Sequence, residues 1–228
     1  MADPIDTSRN RFPDADVAAV YRVIAERRDM RHFLPDPVDP ALLGRLLWAA
    51  HHAPSVGYMQ PWRFIRITDR GLRERMHTLV DAERRATARA LGEREEEFMQ
   101  LKVEGLLEAG EVVVVALSDG REKHVFGRRT LPEMDLASVA CAIQNMWLAA
   151  RAEGVGLGWV SIFDPVALAE MLHMPAGARP VAILCIGHVE AFYPRPMLEI
   201  HQWAERMPLE TVVFENGWRD EAPLPSAV

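Results

Sequence analysis

Only two cysteines occur in the chain, Cys141 and Cys185, and both lie inside apolar stretches. A disulfide framework is excluded as a source of stability; both thiols are expected to be buried, and a cytosolic compartment follows. Long hydrophobic runs are missing too: no stretch reaches the roughly 18 apolar residues that a membrane span requires. Met1 to Arg11 carries charges and no apolar h-region, so neither secretion nor a membrane-spanning role is expected. Positive charge is in deficit, with a formal net charge of -7, whereas a general nucleic-acid surface gathers an excess of Lys and Arg on one face. Arginine clusters therefore read as local sites.

Several chemistries lack their sequence signatures. The eight histidines include the neighbours His51 and His52, but no His-x-x-x-His pair accompanies a carboxylate on one helix face, so no metal site is expected. Ser161 lacks the Gly-x-Ser-x-Gly elbow of a hydrolase nucleophile. Gly154-Val155-Gly156-Leu157-Gly158 follows a helix and precedes a strand, the reverse of the order in a dinucleotide-binding unit, and reads as a turn. Met146 and Trp147 lie on a helical stripe and read as core.

What remains is an ordinary globular composition, 49% apolar and 26% charged over 228 residues, enough for one domain that buries about 70% of its unfolded surface. Helical spacing runs from Ala15 to about Arg28 through Val17, Val20, Tyr21 and Ile24, with Asp14 and Asp16 as capping candidates. Asp39-Pro40 opens a second helix with Leu42, Leu43, Leu46, Leu47 and Ala50 as its buried stripe. Trp62 to Ile67 alternates like a strand with one wet face, and Glu111 to Leu117 is a β-branched run like a strand covered on both faces. Between them Glu83 to Glu97 is mostly polar, a solvated helix or mobile excursion. Pro132 to Glu153 is the strongest helix; Gly156 to Ile162 and Val181 to Ile186 read as buried strands around a helix capped at Asp164-Pro165. Beyond Glu190 the chain is an extended, Pro-punctuated tail. No repeat or linker divides it, so one α+β domain spanning 1–228 is expected, with 1–14 flexible.

Two motifs carry chemistry. Arg27-Arg28-Asp29-Met30-Arg31 gathers three guanidinium groups where a helix gives way to a turn; such forks bind phosphate bidentately, though a solvated surface patch is the alternative. Ala53 to Trp62 joins a helix to a strand, and its Ser55, Gln60 and free backbone groups suit the edge of a planar heterocycle, while an ordinary turn is the alternative.

In this order and spacing the pair resembles the opening signature of the nitroreductase-like flavoproteins, an Arg-Arg-Ser-x-Arg cluster followed some thirty residues later by a Pro-Ser loop ending in Gln-Pro-Trp. The likeness runs from about Ala18 to Glu190. Asp29 stands where that family usually has serine, and Tyr58 where asparagine is usual. Asp29 together with Gly158-Trp159-Val160-Ser161-Ile162-Phe163-Asp164-Pro165 resembles the dimethylbenzimidazole synthase branch, as do Lys102-Val103-Glu104-Gly105 and Pro196-Met197-Leu198-Glu199.

The resemblance implies a central mixed β-sheet flanked by helices, in a domain-swapped homodimer whose extended 191–228 arm packs on the partner subunit. It implies FMN at Arg27, Arg28, Asp29, Met30, Arg31, Ser55, Gln60 and Ser161, with reduced FMN as substrate, O2 as co-substrate and a separate flavin reductase as candidate supplier. The implied reaction cuts the flavin to 5,6-dimethylbenzimidazole, the lower base of cobalamin, and erythrose 4-phosphate. Oxygen chemistry on a reduced ring needs water excluded, so a lid is assigned to Glu95 to Gly110. Asp29 is the candidate base at the first ribityl carbon; burial and the neighbouring cations pull its pKa in opposite directions. Ser161 is the candidate hydrogen-bonding group at the pyrimidine edge, against a plain backbone hydrogen bond at a strand end. An NAD(P)H-dependent nitroreductase or flavin reductase that retains FMN, and a non-catalytic flavin-binding protein, stay open as alternatives.

Overall fold

The structure, a computed structural model, describes residues 10–102 and 104–218. Most of the stretch expected to be flexible (1–9), Val103 of the Lys102–Gly105 motif and the end of the C-terminal arm (219–228) lie outside the described residues. The chain divides into two units, 1–192 and 193–228.

In the first unit α1 spans Asp14–Glu26, beginning inside the segment expected to be flexible. Asp14 and Asp16 do not cap it. Pro13 holds the cap position without a side-chain bond, and the two acids sit in the first turn, where they complement the helix dipole. The predicted stripe forms a helix but faces away from this chain's own core: Val20, Tyr21 and Ile24 are exposed. Helix α2 (Pro40–His51) behaves as its sequence reads, with the Asp39 carboxylate accepting from Ala41 N at 2.8 Å and Leu42, Leu43, Leu46 and Ala50 buried.

Four strands, β1 (Trp62–Arg66), β2 (Glu111–Leu117), β3 (Gly156–Val160) and β4 (Arg179–Gly187), form one sheet in the order β1-β2-β4-β3. All three ladders are antiparallel, so the mixed character comes down to one isolated parallel bridge, Asp29 to Leu157. The central strands β2 and β4 are flanked on both sides, which is why their sequences are continuous apolar runs. One sheet face, with Val113, Val115, Leu157, Leu184 and Ile186, packs on α2 and on α5 (Met134–Ala152). The alternate residues Val112, Val114, Ile183 and Cys185 turn to the opposite face and are also fully buried.

Cys141 departs from expectation and is exposed. Helix α5 is apolar around most of its circumference, so periodicity could not tell its buried arc from the outer arc that carries Leu136, Ala137 and Cys141. The polar stretch from Glu83 to Glu97 is ordered helix: it spans the end of α3 (Arg70–Ala90) and the start of α4 (Glu95–Gln100), and Arg84 ties them by donating to Met99 O and Leu101 O at 2.6 and 3.0 Å. The last helix of this unit, α6, is Pro165–Met171. Among the described residues no helix is long and apolar enough to cross a membrane.

The second unit contains α7 (Met197–Ile200), a single 3-10 turn at Leu209–Thr211 and a stacked pair, Phe214 on Trp218, with ring centroids 5.3 Å apart.

The Asp164 carboxylate accepts from Val166 N and Ala167 N at 2.8 and 3.0 Å ahead of Pro165, the first residue of α6. Asp164→Ala is expected to lower stability by about 1 kcal/mol through loss of this cap. A denaturant midpoint unchanged from the parent would show that Pro165 alone starts the helix.

Candidate active site

After α1 ends at Glu26 the chain runs extended along the outer edge of β3. Met30 N donates to Leu157 O at 3.0 Å, and Asp29 forms the parallel bridge with Leu157. Two glycines admit this approach. A Cβ on Gly158 would lie 2.2 Å from the Met30 carbonyl oxygen, and one on Gly156 would lie 3.2 Å from Met30 Cγ, with Val189 Cγ1 nearer still at 2.5 Å. The triplet Gly156-Leu157-Gly158 is thus a seat for the arginine cluster, a function the turn reading missed.

Asp29 is held from two sides. Its Oδ1 accepts from Trp159 N at 2.9 Å, its Oδ2 is ion-paired with Arg31, and Arg31 also donates to Trp159 O at 2.8 Å. Three groups close one ring of hydrogen bonds at the sheet edge. Burial raises the Asp29 pKa above the ordinary 3.8, outweighing the Arg31 charge, the Trp159 amide and the Arg27 charge, which all lower it. The carboxylate nonetheless keeps 39% of its side-chain surface open, so it sits in a recess with an outlet.

The three arginines do different things. Arg31 is buried and committed to Asp29 and Trp159. Arg27 lies over the Trp147 ring at 4.4 Å, a cation-π contact. Arg28 turns to the carbonyls of Ala25 and Arg27, both at 2.8 Å, while Trp147 Nε1 donates to Arg28 O at 3.0 Å. Trp147 is core, as read, and is also the platform under the cluster. Met30 is 1% exposed, so its side chain packs inside and only its backbone borders the site.

The Ser55–Gln60 loop is strained, with positive φ at Gly57 (52°), Tyr58 (54°) and Gln60 (50°). Ser55 Oγ accepts from Gln60 N at 3.0 Å, and Val56 N donates to Ser138 Oγ at 3.0 Å. Tyr58 is exposed. Trp62 anchors the loop's far end: it is buried, and its Nε1 donates to His51 Nδ1 at 3.1 Å. Ser161 lies two residues beyond Trp159. Both line a cavity of about 430 Å³ together with Leu136, Phe163, Arg179 and Val181. Among the described residues the Ser161 hydroxyl makes no hydrogen bond, so the backbone-bonded alternative is not what the structure shows.

Helix α5 links the two halves, since Trp147 underlies the arginines and Ser138 holds the loop, roughly 13 Å apart along the axis at about 1.5 Å per residue. The segment assigned as a lid is largely anchored. Phe98, Leu101, Leu106 and Ala109 are buried, and Arg73 donates to Ala109 O and Gly110 O at 2.8 and 3.3 Å. A Cβ on Gly105 would meet the Phe33 ring at 2.5 Å, so this half of the segment is packed beside Arg31–Phe33. Among the described residues no His, Cys, Asp and Glu cluster suits a metal ion. The cavity beside Trp159 and Ser161 is lined by apolar residues and Arg179, and the guanidinium groups of Arg27 and Arg31 lie beside the recessed Asp29 carboxylate.

The nitroreductase family model matches residues 24–188. The chain is 44% identical over 187 residues to a 5,6-dimethylbenzimidazole synthase of Rhodospirillum rubrum, covering 80% of this chain and 87% of the relative. It is 40% identical over 194 residues to a 5,6-dimethylbenzimidazole synthase of Rhodobacter capsulatus, covering 84% and 94%. Among solved structures, the NADPH:FMN oxidoreductase of Vibrio harveyi complexed with NAD+ superposes with a TM-score of 0.66 at 18% identity, covering 89% of this chain and 79% of that one. That last likeness shows a shared fold.

Because the folded state raises the Asp29 pKa, it favours the protonated carboxyl. Its contribution to stability is full below pH 3.8 and is lost as pH rises through the folded value. Asp29→Asn cannot ionise, so the parent is expected to lose stability relative to this variant across that window. Parallel stability curves for the two proteins over acid to neutral pH would show that Asp29 titrates as an ordinary surface carboxylate. Gly158→Ala is expected to cost about 1–3 kcal/mol by overpacking against Met30, read as a lowered denaturation midpoint. An unchanged midpoint would contradict the close approach of the two backbones.

Proposed function

We propose that the chain, which belongs to the nitroreductase family, makes 5,6-dimethylbenzimidazole by oxygen-dependent fragmentation of reduced FMN, with erythrose 4-phosphate as the sugar fragment. The likeness to the two synthases carries this reading, and the recessed Asp29 carboxylate supplies a base for it. FMN is the substrate, and its reduced ring supplies the electrons that O2 accepts.

In this reading Arg27 and Arg28, half-buried at the end of α1, hold the phosphate. Arg31, occupied by Asp29 and Trp159, contributes charge and fixes the carboxylate. Met30 contributes backbone. Ser55 and Gln60 border the ring, and the Ser161 hydroxyl, without an internal partner, serves the ring edge. Asp29 takes the hydrogen of the first ribityl carbon as a proton. Burial strengthens it as a base, and the hydrogen bonds from Trp159 and Arg31 fix its direction.

The protein acts as a homodimer, supported by the exposed Val20, Tyr21 and Ile24 of α1 and the outer apolar arc of α5. In the same reading the described part of the arm, 191–218, packs on the partner subunit. A cytosolic location and a separate supplier of reduced FMN belong to the same reading.

Anaerobic mixing with reduced FMN followed by oxygen is expected to yield dimethylbenzimidazole by mass analysis. Recovery of only intact oxidised FMN by a protein shown to bind it would refute this activity, and repeated NAD(P)H turnover on one bound flavin would favour a reductase. Asp29→Asn is expected to keep FMN binding and lower product formation by on the order of 10²-fold or more, with Ser161→Ala a milder version. The acid limb of the parent's pH profile is expected above the ordinary aspartate range, as the raised pKa requires. Parent-rate product formation by Asp29→Asn would end the proposed role of this residue.

A further inference from the structure

Between β2 and α5 the chain makes an excursion, and one carboxylate fixes its inner edge. Asp135 is 4% exposed and accepts from Arg121 Nε at 3.0 Å and Arg128 Nε at 2.8 Å. Arg121 donates further to the Ser118 carbonyl and, at 2.9 Å, to Gly177 O. A buried ion cluster of this kind contributes little net stability over an apolar core, while removing one partner is costly. Its value lies in what it orders.

What it orders is the stretch Val125 to Arg128, which lies directly on the Ser55–Gln60 loop. A Cβ on Gly57 would stand 2.8 Å from the Phe126 carbonyl oxygen, and one on Gly127 (φ 73°) would stand 2.7 Å from Val56 Cγ2. From the helix side Ser138, three residues after Asp135, donates to Met134 O at 2.6 Å and accepts from Val56 N. The clamped loop is the one with positive φ at Gly57, Tyr58 and Gln60, two of them residues with side chains. Such a conformation persists only where its surroundings over-determine it.

We propose that Asp135 is a positioning residue: through Arg128 and the adjoining Gly127, and alongside the separate hold from Ser138, it keeps the strained Ser55–Gln60 loop in the shape that receives the ring end of the flavin. This rests on reading that loop as the flavin's border. The phosphate end, more than two helical turns away at Trp147, is untouched by the clamp.

The test uses the full chain with oxidised FMN and riboflavin, and two variants. Asp135→Asn removes the charge of the cluster, and Gly127→Ala leaves the cluster intact but drives a methyl into Val56. Amide hydrogen exchange at Val56 and Gln60, whose N–H groups bond to the Ser138 and Ser55 hydroxyls, is expected to quicken about tenfold or more, while the centre of α5 stays protected. Affinity for both flavins is expected to fall by the same factor, leaving the FMN to riboflavin ratio unchanged, where a phosphate-end defect would change it. Parent-like exchange at Val56 and Gln60 in both variants overturns the proposal, as does a loosened loop with unchanged flavin affinity. If Asp135→Asn fails to fold, Gly127→Ala carries the same test. A parent protein that binds neither flavin overturns the reading of the site and the proposal with it, a result separable from the others because no variant is involved.

Discussion

The Trp159 backbone, gripped at both its N–H and its C=O, is the contact on which the site depends. Asp29 accepts from the N–H and Arg31 donates to the C=O, while the two side chains neutralise each other. Strand β3 is an edge strand, and an exposed edge offers unpaired backbone groups. The Asp29–Arg31 stretch covers that edge with a bridge and two side chains instead of a fifth ladder. The same contact holds the cluster's carboxylate beside the strand that leads to Ser161, so edge protection and site assembly are one interaction.

Helix α5 turns that local lock into a site with two ends. Its C-terminal half provides Trp147, which accepts the Arg27 cation on its face and donates its N–H to Arg28 O. Its N-terminal half provides Asp135 and Ser138, which hold the loops around Gly57. Eight of its residues are buried, including Val139, Ile143 and Met146 against the sheet. A helix so fixed is a rigid ruler between the arginine cluster and the Ser55–Gln60 loop, the proposed phosphate and ring ends.

Much of this was legible in the residues. Capping at Asp39-Pro40 and Asp164-Pro165 and the continuous run of β2 depend on local chemistry, and each appears where its sequence places it. Strand β1 also forms at its predicted place, but its burial does not alternate, since Phe64 and Ile65 are both half-buried. The arginine cluster and the Pro-Ser loop could be picked out because their residue types are unusual at that spacing. The misreadings arise where a local pattern has more than one tertiary outcome. The α1 stripe shows a helix but not what covers it, and the all-round apolarity of α5 hid which side exposes Cys141. The Gly156–Gly158 stretch reads as a turn because the reason Gly158 must be glycine is the Met30 backbone, more than a hundred residues earlier. Asp135 gave no signal at all, since a lone acid in the first turn of a helix is the usual surface preference.

The competing influences on Asp29 also couple the two ends of the proposed reaction. Burial already outweighs the cations in setting its pKa, and Arg27 is among the charges that pull it down. In the proposed reading, a dianionic phosphate at Arg27 and Arg28 would cancel part of that pull and raise the pKa further. The proposed base would then be stronger with a phosphorylated ligand seated than in the empty protein, its direction fixed by Trp159 and Arg31. A serine at this position could take the Trp159 hydrogen bond but could not gain basicity in this way. In the proposed reading, the acid within the basic cluster would let occupancy at the phosphate end set proton affinity at the reacting carbon.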